Sequence, residues 1–212
     1  MSKNNKNEKD KKNYEARIIT LGGGSVGKTS LILRYVDDFF ALKYVQTVGI
    51  DTKIKIVKLE NGEEIKVILA DTAGQERYNS LAANYVIKVD GILLVYDITK
   101  EKTFKEVKKW AQNIKEEYGN SKPIILIGNK SDLSDERCIN KENGEDFADT
   151  FLEGVKYYET SFKTGDNVEE AINDLVKQIF KLNYGVDPGE MSKDKVKLTY
   201  DKKRKKGKQN CC

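Results

Sequence analysis

Eight residues, Gly22-Gly23-Gly24-Ser25-Val26-Gly27-Lys28-Thr29, carry the spacing G-x-x-x-x-G-K-[ST]. Glycines in such a turn let successive backbone N–H groups point inward, where they can surround phosphate oxygens at the start of a helix. The lysine after the last glycine can reach the outer phosphates of a nucleotide, and the threonine hydroxyl beside it is a hard oxygen ligand suited to magnesium. The phosphate cradle reads as Gly24, Ser25, Val26, Gly27, Lys28, Thr29 and Ser30. A glycine-rich strand-to-helix turn without a ligand would show the same letters, so the motif needs companions.

The companions follow in order. Asp71-Thr72-Ala73-Gly74-Gln75-Glu76 comes directly after an apolar run ending at Ala70. An aspartate at the C-terminal end of a strand, downstream of a phosphate loop, is placed to hold a magnesium shell. Gly74 would offer its backbone N–H to a γ-phosphate, and Gln75 would position an attacking water. Asn129-Lys130-Ser131-Asp132 ends a second apolar run. The Asp132 carboxylate can accept from both N1–H and the exocyclic amine of guanine, a donor pair that adenine lacks. Backbone N–H groups of Ser161, Phe162 and Lys163, after a last strand, could meet the guanine O6. The chain has no histidine, so any metal here is held by oxygen, which favours magnesium or calcium.

These residues need elements to carry them. Arg17 to Leu21 reads as a short apolar strand, and Leu31, Ile32, Tyr35 and Val36 give helical spacing over Lys28 to Val36. Thr52 to Leu59 and Glu63 to Ala70 flank Asn61-Gly62, a strong hairpin signal. Gly91 to Tyr96 and Pro123 to Gly128 are continuous apolar runs, as strands buried on both faces require. Helices are expected at Phe104 to Tyr118, Lys141 to Phe151 and Val168 to Leu182, with a strand at Val155 to Glu159. Alternation of this kind predicts an α/β fold with helices on both faces of a mostly parallel sheet. Cys138, Trp110, Tyr157 and Tyr158 are expected to be packing residues, Cys138 buried among them.

The ends differ from the body. Residues 1–13 carry five lysines against Glu8 and Asp10, and residues 183–212 carry nine Lys/Arg against four acids, so a net charge of +4 leaves the body near −4. An acidic body with basic arms is not the pattern of a nucleic-acid binder, whose basic residues lie on a folded face. Neither arm has an apolar pattern; both are expected to be disordered, leaving one domain over residues 14–182. No run of about 18 apolar residues occurs, and the polar start predicts no signal peptide. Three cysteines, two of them adjacent, make no disulfide framework and suggest a reducing setting.

In order and spacing the motifs resemble those of the Ras superfamily of small GTPases, over about Tyr14 to Leu182. The resemblance implies a P-loop NTPase fold, a six-stranded mainly parallel sheet with about five helices on both faces, and a monomer. It implies GTP and GDP as substrate and product, with Mg2+ held by Thr29, Thr47 and Asp71. Phe40 would pack on the guanine edge, Tyr44 would lie over the phosphates, and Lys28 and Gln75 would serve catalysis. Loops 38–50 and 71–85 would change with the γ-phosphate.

Cys211-Cys212, Tyr96-Asp97-Ile98-Thr99 and Asp71 to Arg77 resemble the Rab family. That likeness implies double prenylation of the cysteine pair and residence on the cytoplasmic face of an endomembrane, cycling with the cytosol. The implied partners are a guanine nucleotide exchange factor, a GTPase-activating protein, a GDP-dissociation inhibitor or escort protein, and effectors of the GTP form. Thr52 and Ala70 stand where that pattern has Phe and Trp, leaving Tyr85 of a hydrophobic triad. A soluble Ran-like transport GTPase, and a module that binds GTP without turnover, stay open as alternatives.

Overall fold

A computed structural model describes residues 14–38, 50–59, 63–72 and 85–185. Within them are β1 (Tyr14–Leu21), α1 (Lys28–Asp37), β2 (Ile50–Lys58), β3 (Glu64–Thr72), β4 (Gly91–Asp97), α2 (Glu101–Tyr118), β5 (Ile124–Asn129), α3 (Lys141–Asp146), β6 (Lys156–Thr160) and α4 (Val168–Tyr184). The strands form one sheet in the order β2-β3-β1-β4-β5-β6. Only β2 and β3 pair antiparallel; β3 with β1, β1 with β4, β4 with β5 and β5 with β6 are parallel.

Alternation along the strands divides the core in two. Ile18, Leu93, Val95, Ile125 and Ile127 point to the face covered by α1 and α4, where Leu31, Ile32, Leu175 and Ile179 meet them. Ile19, Leu94, Tyr96 and Leu126 point the other way, to Phe104, Val107 and Ala111 of α2. Strands buried on both faces explain the unbroken apolar runs, and each fully buried Leu or Ile contributes about 1.5–3 kcal/mol.

Four α-helices lie among the described residues, with a 3-10 turn at Ser134–Glu136. The helix expected from Lys141 to Phe151 instead ends at Asp146 and widens into a π-type turn over Phe147–Phe151. Phe147 and Phe151 stack there at 5.2 Å, a contact that the wider turn makes. Cys138 corrects the expectation of burial: it is exposed, because it follows the 3-10 turn while its neighbour Ile139 takes the core position. Trp110, Tyr157 and Tyr158 are partly buried packing residues, as expected. The Asn61-Gly62 turn lies outside the described residues, but Leu59 N–H donates to the Glu63 carbonyl at 2.8 Å across its ends.

Candidate nucleotide site

Parallel strands deliver their C-terminal ends to one edge of the sheet, and the sequence-predicted groups collect there. Between β1 and α1 the chain turns through Gly22 to Gly27, with Gly27 in the left-handed region at φ 97°. A Cβ on Gly27 would stand 2.5 Å from Asn129 Nδ2 and 3.0 Å from the Phe162 ring. Glycine is thus required by close approach as well as by conformation. The Phe162 ring packs over this glycine.

Lys28 is buried, and its ammonium donates to the carbonyls of Gly22 at 3.0 Å and Gly23 at 2.8 Å. Burial lowers its pKa to about 8, against the opposing pull of Asp71 and Glu106. Thr29 Oγ1 donates to Asp71 Oδ2 at 2.7 Å, although the two residues are 42 positions apart. That pairing brings a hydroxyl and a buried carboxylate together as hard oxygen donors, which is what magnesium takes. Among the described residues no group of three His, Cys, Asp or Glu could hold a metal alone. A cation between Thr29 and Asp71 would complete its shell with phosphate oxygen and water, in the usual manner of magnesium.

The base-reading side is tied to the phosphate side by Asn129. It is fully buried, donates from Nδ2 to the Val26 carbonyl at 2.8 Å, and accepts from Thr160 Oγ1 at 3.1 Å. One side chain therefore staples three loops. Asp132 is oriented by Ser161, whose hydroxyl donates at 2.6 Å, with the Lys163 ammonium 3.8 Å from its other oxygen. Lys130, at φ 70°, places its ammonium 2.6 Å from Asp97 Oδ2. Burial raises the Asp97 pKa, but Lys130 and Thr99 outweigh it and hold the carboxyl below its ordinary value.

Gly24 and Ser25 are exposed at the mouth of the loop, Val26 is buried beneath it, and Ser30 sits in the first turn of α1. Phe40, Tyr44, Thr47, Gly74, Gln75, Cys211 and Cys212 lie outside the described residues. Sequence reasoning missed three supports. Asp97 was read as a family mark and turns out to anchor Lys130. Glu106 from α2 reaches the phosphate loop, its Oε2 2.0 Å from where a Gly23 Cβ would stand. Arg137 braces Glu159, just before the Thr160-Ser161 pair, with two hydrogen bonds. Nothing in the sequence marked Glu106 or Arg137 for these roles: the i,i+4 pair of Glu106 with Lys102 begins before the helix expected from Phe104.

A model of the Ras family matches residues 17–181. The chain is 42% identical over 171 residues to Ras-related protein Rab-8B of Homo sapiens, covering 80% of this chain and 81% of that protein. It is 40% identical over 168 residues to Ras-related protein Rab-8B of Dictyostelium discoideum, covering 79% and 81%. It is 40% identical over 177 residues to Ras-related protein Rab-13 of Mesocricetus auratus, covering 84% and 86%.

Proposed function

The chain belongs to the Ras family, and on that footing we propose how its own residues run a Rab-like GTP/GDP switch. It is a small GTPase that hydrolyses GTP and regulates membrane traffic. The observation that carries the residue assignment is the convergence of Lys28, the Thr29–Asp71 pair and the Ser161–Asp132 pair at one edge of the sheet, joined by Asn129.

Asp132 accepts the two guanine donors, and Ser161 keeps its carboxylate turned for them. The amides of Gly24 to Thr29 hold the phosphates, and Lys28, fixed by two loop carbonyls, turns its remaining N–H to phosphate oxygens. Thr29 and Asp71, with Thr47, hold Mg2+, whose contribution is neutralisation of charge on the phosphate oxygens. Gln75 orients the water that attacks the γ-phosphorus as the bond to the β-phosphate oxygen breaks. Intrinsic turnover is slow, on the order of 10⁻⁴–10⁻² s⁻¹ as for related switches, until an activating protein supplies further stabilisation of the transition state.

An exchange factor, an activating protein, a GDP-dissociation inhibitor or escort protein, and effectors of the GTP form complete the cycle. Prenylation of Cys211 and Cys212 places the protein on the cytoplasmic face of an endomembrane. On the partner side, Thr52 lies opposite Ala70 across β2 and β3, with Ile50 and Tyr85 packed nearby. The surface offered to effectors is therefore shallower than one built on Phe and Trp.

Single-turnover phosphate release tests the catalytic assignment. Gln75→Leu should slow release at least about tenfold, both alone and with an activating protein, while GTP affinity is kept. Equal release from Gln75→Leu and the unaltered protein would remove Gln75 from the mechanism.

A further inference from the structure

A cleft of about 340 Å³ opens at the opposite edge of the sheet, where β5 and β6 begin at Ile124 and Lys156. Ala111, Ile124 and Leu152, all buried, form its apolar floor. Its rim carries three lysines, Lys115, Lys122 and Lys156, against Glu153, with Asp174 behind it 2.9 Å from the Lys156 ammonium. A concentration of positive charge over an apolar floor is unexpected on a body whose net charge is about −4.

Glu153 shows what this rim can hold. Its Oε1 is 2.6 Å from the Lys115 ammonium, and its Oε2 accepts from Asn120 Nδ2 at 2.6 Å. Both oxygens are thus engaged by donors from the end of α2 and the loop after it. Lys115 and Asn120 hold the carboxyl below its ordinary pKa, so it stays an anion. The residue adopts φ 60°, a conformation that side chains other than glycine seldom take without support from their surroundings. Glu153 is a tethered anion in a basic cleft, an internal stand-in for one arriving from outside.

The cleft also has a direction. Helix α4 supplies Gln178 to its wall and ends at Tyr184, six residues on, or about 9 Å along the helix. Tyr184 packs on Tyr14 at the start of β1, with ring centroids 5.0 Å apart. The basic segment after residue 185 therefore leaves the body at the same edge as the cleft, away from the nucleotide loops. With that segment lipid-anchored, the tether joins the body at the edge that carries the cleft.

We propose that the cleft binds a phosphoryl anion, with Lys115 and Asn120 as its donors in place of the Glu153 carboxylate and Lys156 shared between the anion and Asp174. The membrane source, a phosphorylated lipid head group, rests on the anchored reading given above; capture of a soluble phosphoryl anion does not.

The test uses the full-length, unprenylated, GDP-loaded chain and follows backbone amide NMR shifts at Asn120, Glu153 and Gly154. Titration with inositol trisphosphate is expected to move these amides and leave those of Lys28 and Asp132 in place. Lys115→Gln with Lys156→Gln should weaken binding by about tenfold or more, on the scale of an exposed cation facing an anionic surface. Glu153→Gln should tighten it about threefold, the size of effect expected from removing one competing exposed charge. Lys122 is kept, because its ammonium holds the Val89 carbonyl. Unmoved cleft amides, or equal affinity in the double lysine variant, would overturn the site. So would loss of binding only when the lysines and arginine of residues 202–208 are changed to glutamine, which would put binding in the tail.

Inorganic phosphate and vesicles separate the sources. Phosphate matching the trisphosphate in affinity identifies a free anion. Stronger retention of the prenylated chain on phosphatidylcholine vesicles containing phosphatidylinositol bisphosphate than on phosphatidylcholine alone, lost in the double lysine variant, identifies the head group. Failure of the prenylated chain to bind any vesicle would sink the anchored reading and leave the soluble result standing.

Discussion

Arg137 reaches Glu159 with both arms of its guanidinium, at 2.6 and 2.8 Å, and Tyr157 donates to the same carboxylate at 3.1 Å. Burial raises the Glu159 pKa, but these hydrogen bonds outweigh it and hold the carboxyl below its ordinary value. A carboxylate depressed by folding contributes stability that is present above its unfolded pKa and lost as pH falls through the folded one. Arg137→Ala should therefore cost about 2 kcal/mol near neutral pH, less than for a fully buried pair. The gap from the unaltered protein should narrow near pH 4, where Glu159 takes up a proton in the variant. Urea unfolding at the two pH values measures it, and an equal gap at both would show that the pair is not the cause. None of this was legible in the sequence, because residues 22 positions apart meet here only through the pairing of β5 with β6. The Lys28, Asp71 and Asp132 positions were legible for the opposite reason: their chemistry demands one residue type at one spacing from a glycine turn or a strand end.

Helix α3 lies against β6, and against Tyr96 of β4, because Gly144 has no side chain. A Cβ there would stand 2.5 Å from Tyr157 Cζ and 2.7 Å from Tyr96 Oη, two rings whose hydroxyls share a hydrogen bond of 2.8 Å. Gly144→Ala would gain up to about 1 kcal/mol of helix propensity. Overpacking against the two rings costs about 1–3 kcal/mol and outweighs that gain. The variant should melt several degrees lower, and an unchanged or raised Tm would show that α3 moves aside freely. At this scale the sequence revealed strands and long helices well, since burial on both faces and a 3.6-residue period leave plain signatures. It did not reveal where α3 gives way to the π-type turn, because Phe147 and Phe151 suit either geometry until their stacking is seen. Cys138 misled for a related reason: cysteine is among the most buried residue types, yet the turn before it hands the core position to Ile139.

Across the whole molecule, the nucleotide loops and the C-terminal end of the described residues sit at opposite edges of one sheet. The nucleotide loops follow the C-terminal ends of the parallel strands, while α4 hands the chain to its basic segment at their N-terminal ends. Loss of attachment should therefore leave the nucleotide site intact. Cys211→Ser with Cys212→Ser should shift the protein from membranes to cytosol on fractionation at unchanged GTP affinity, since two lipid chains with a basic patch make a stable anchor and a bare basic patch does not. Membrane retention of the double variant would reject the anchor. The most direct measurement of the central claim, a guanine-specific switch, is the affinity of the unaltered protein and of Asp132→Asn for GDP, ADP and XDP. Two guanine donors facing one carboxylate predict strong preference for GDP in the unaltered protein; an amide that can donate to the xanthine oxygen predicts weakened GDP and strengthened XDP binding in the variant. Unchanged GDP affinity in Asp132→Asn, with no gain for XDP, would contradict the account.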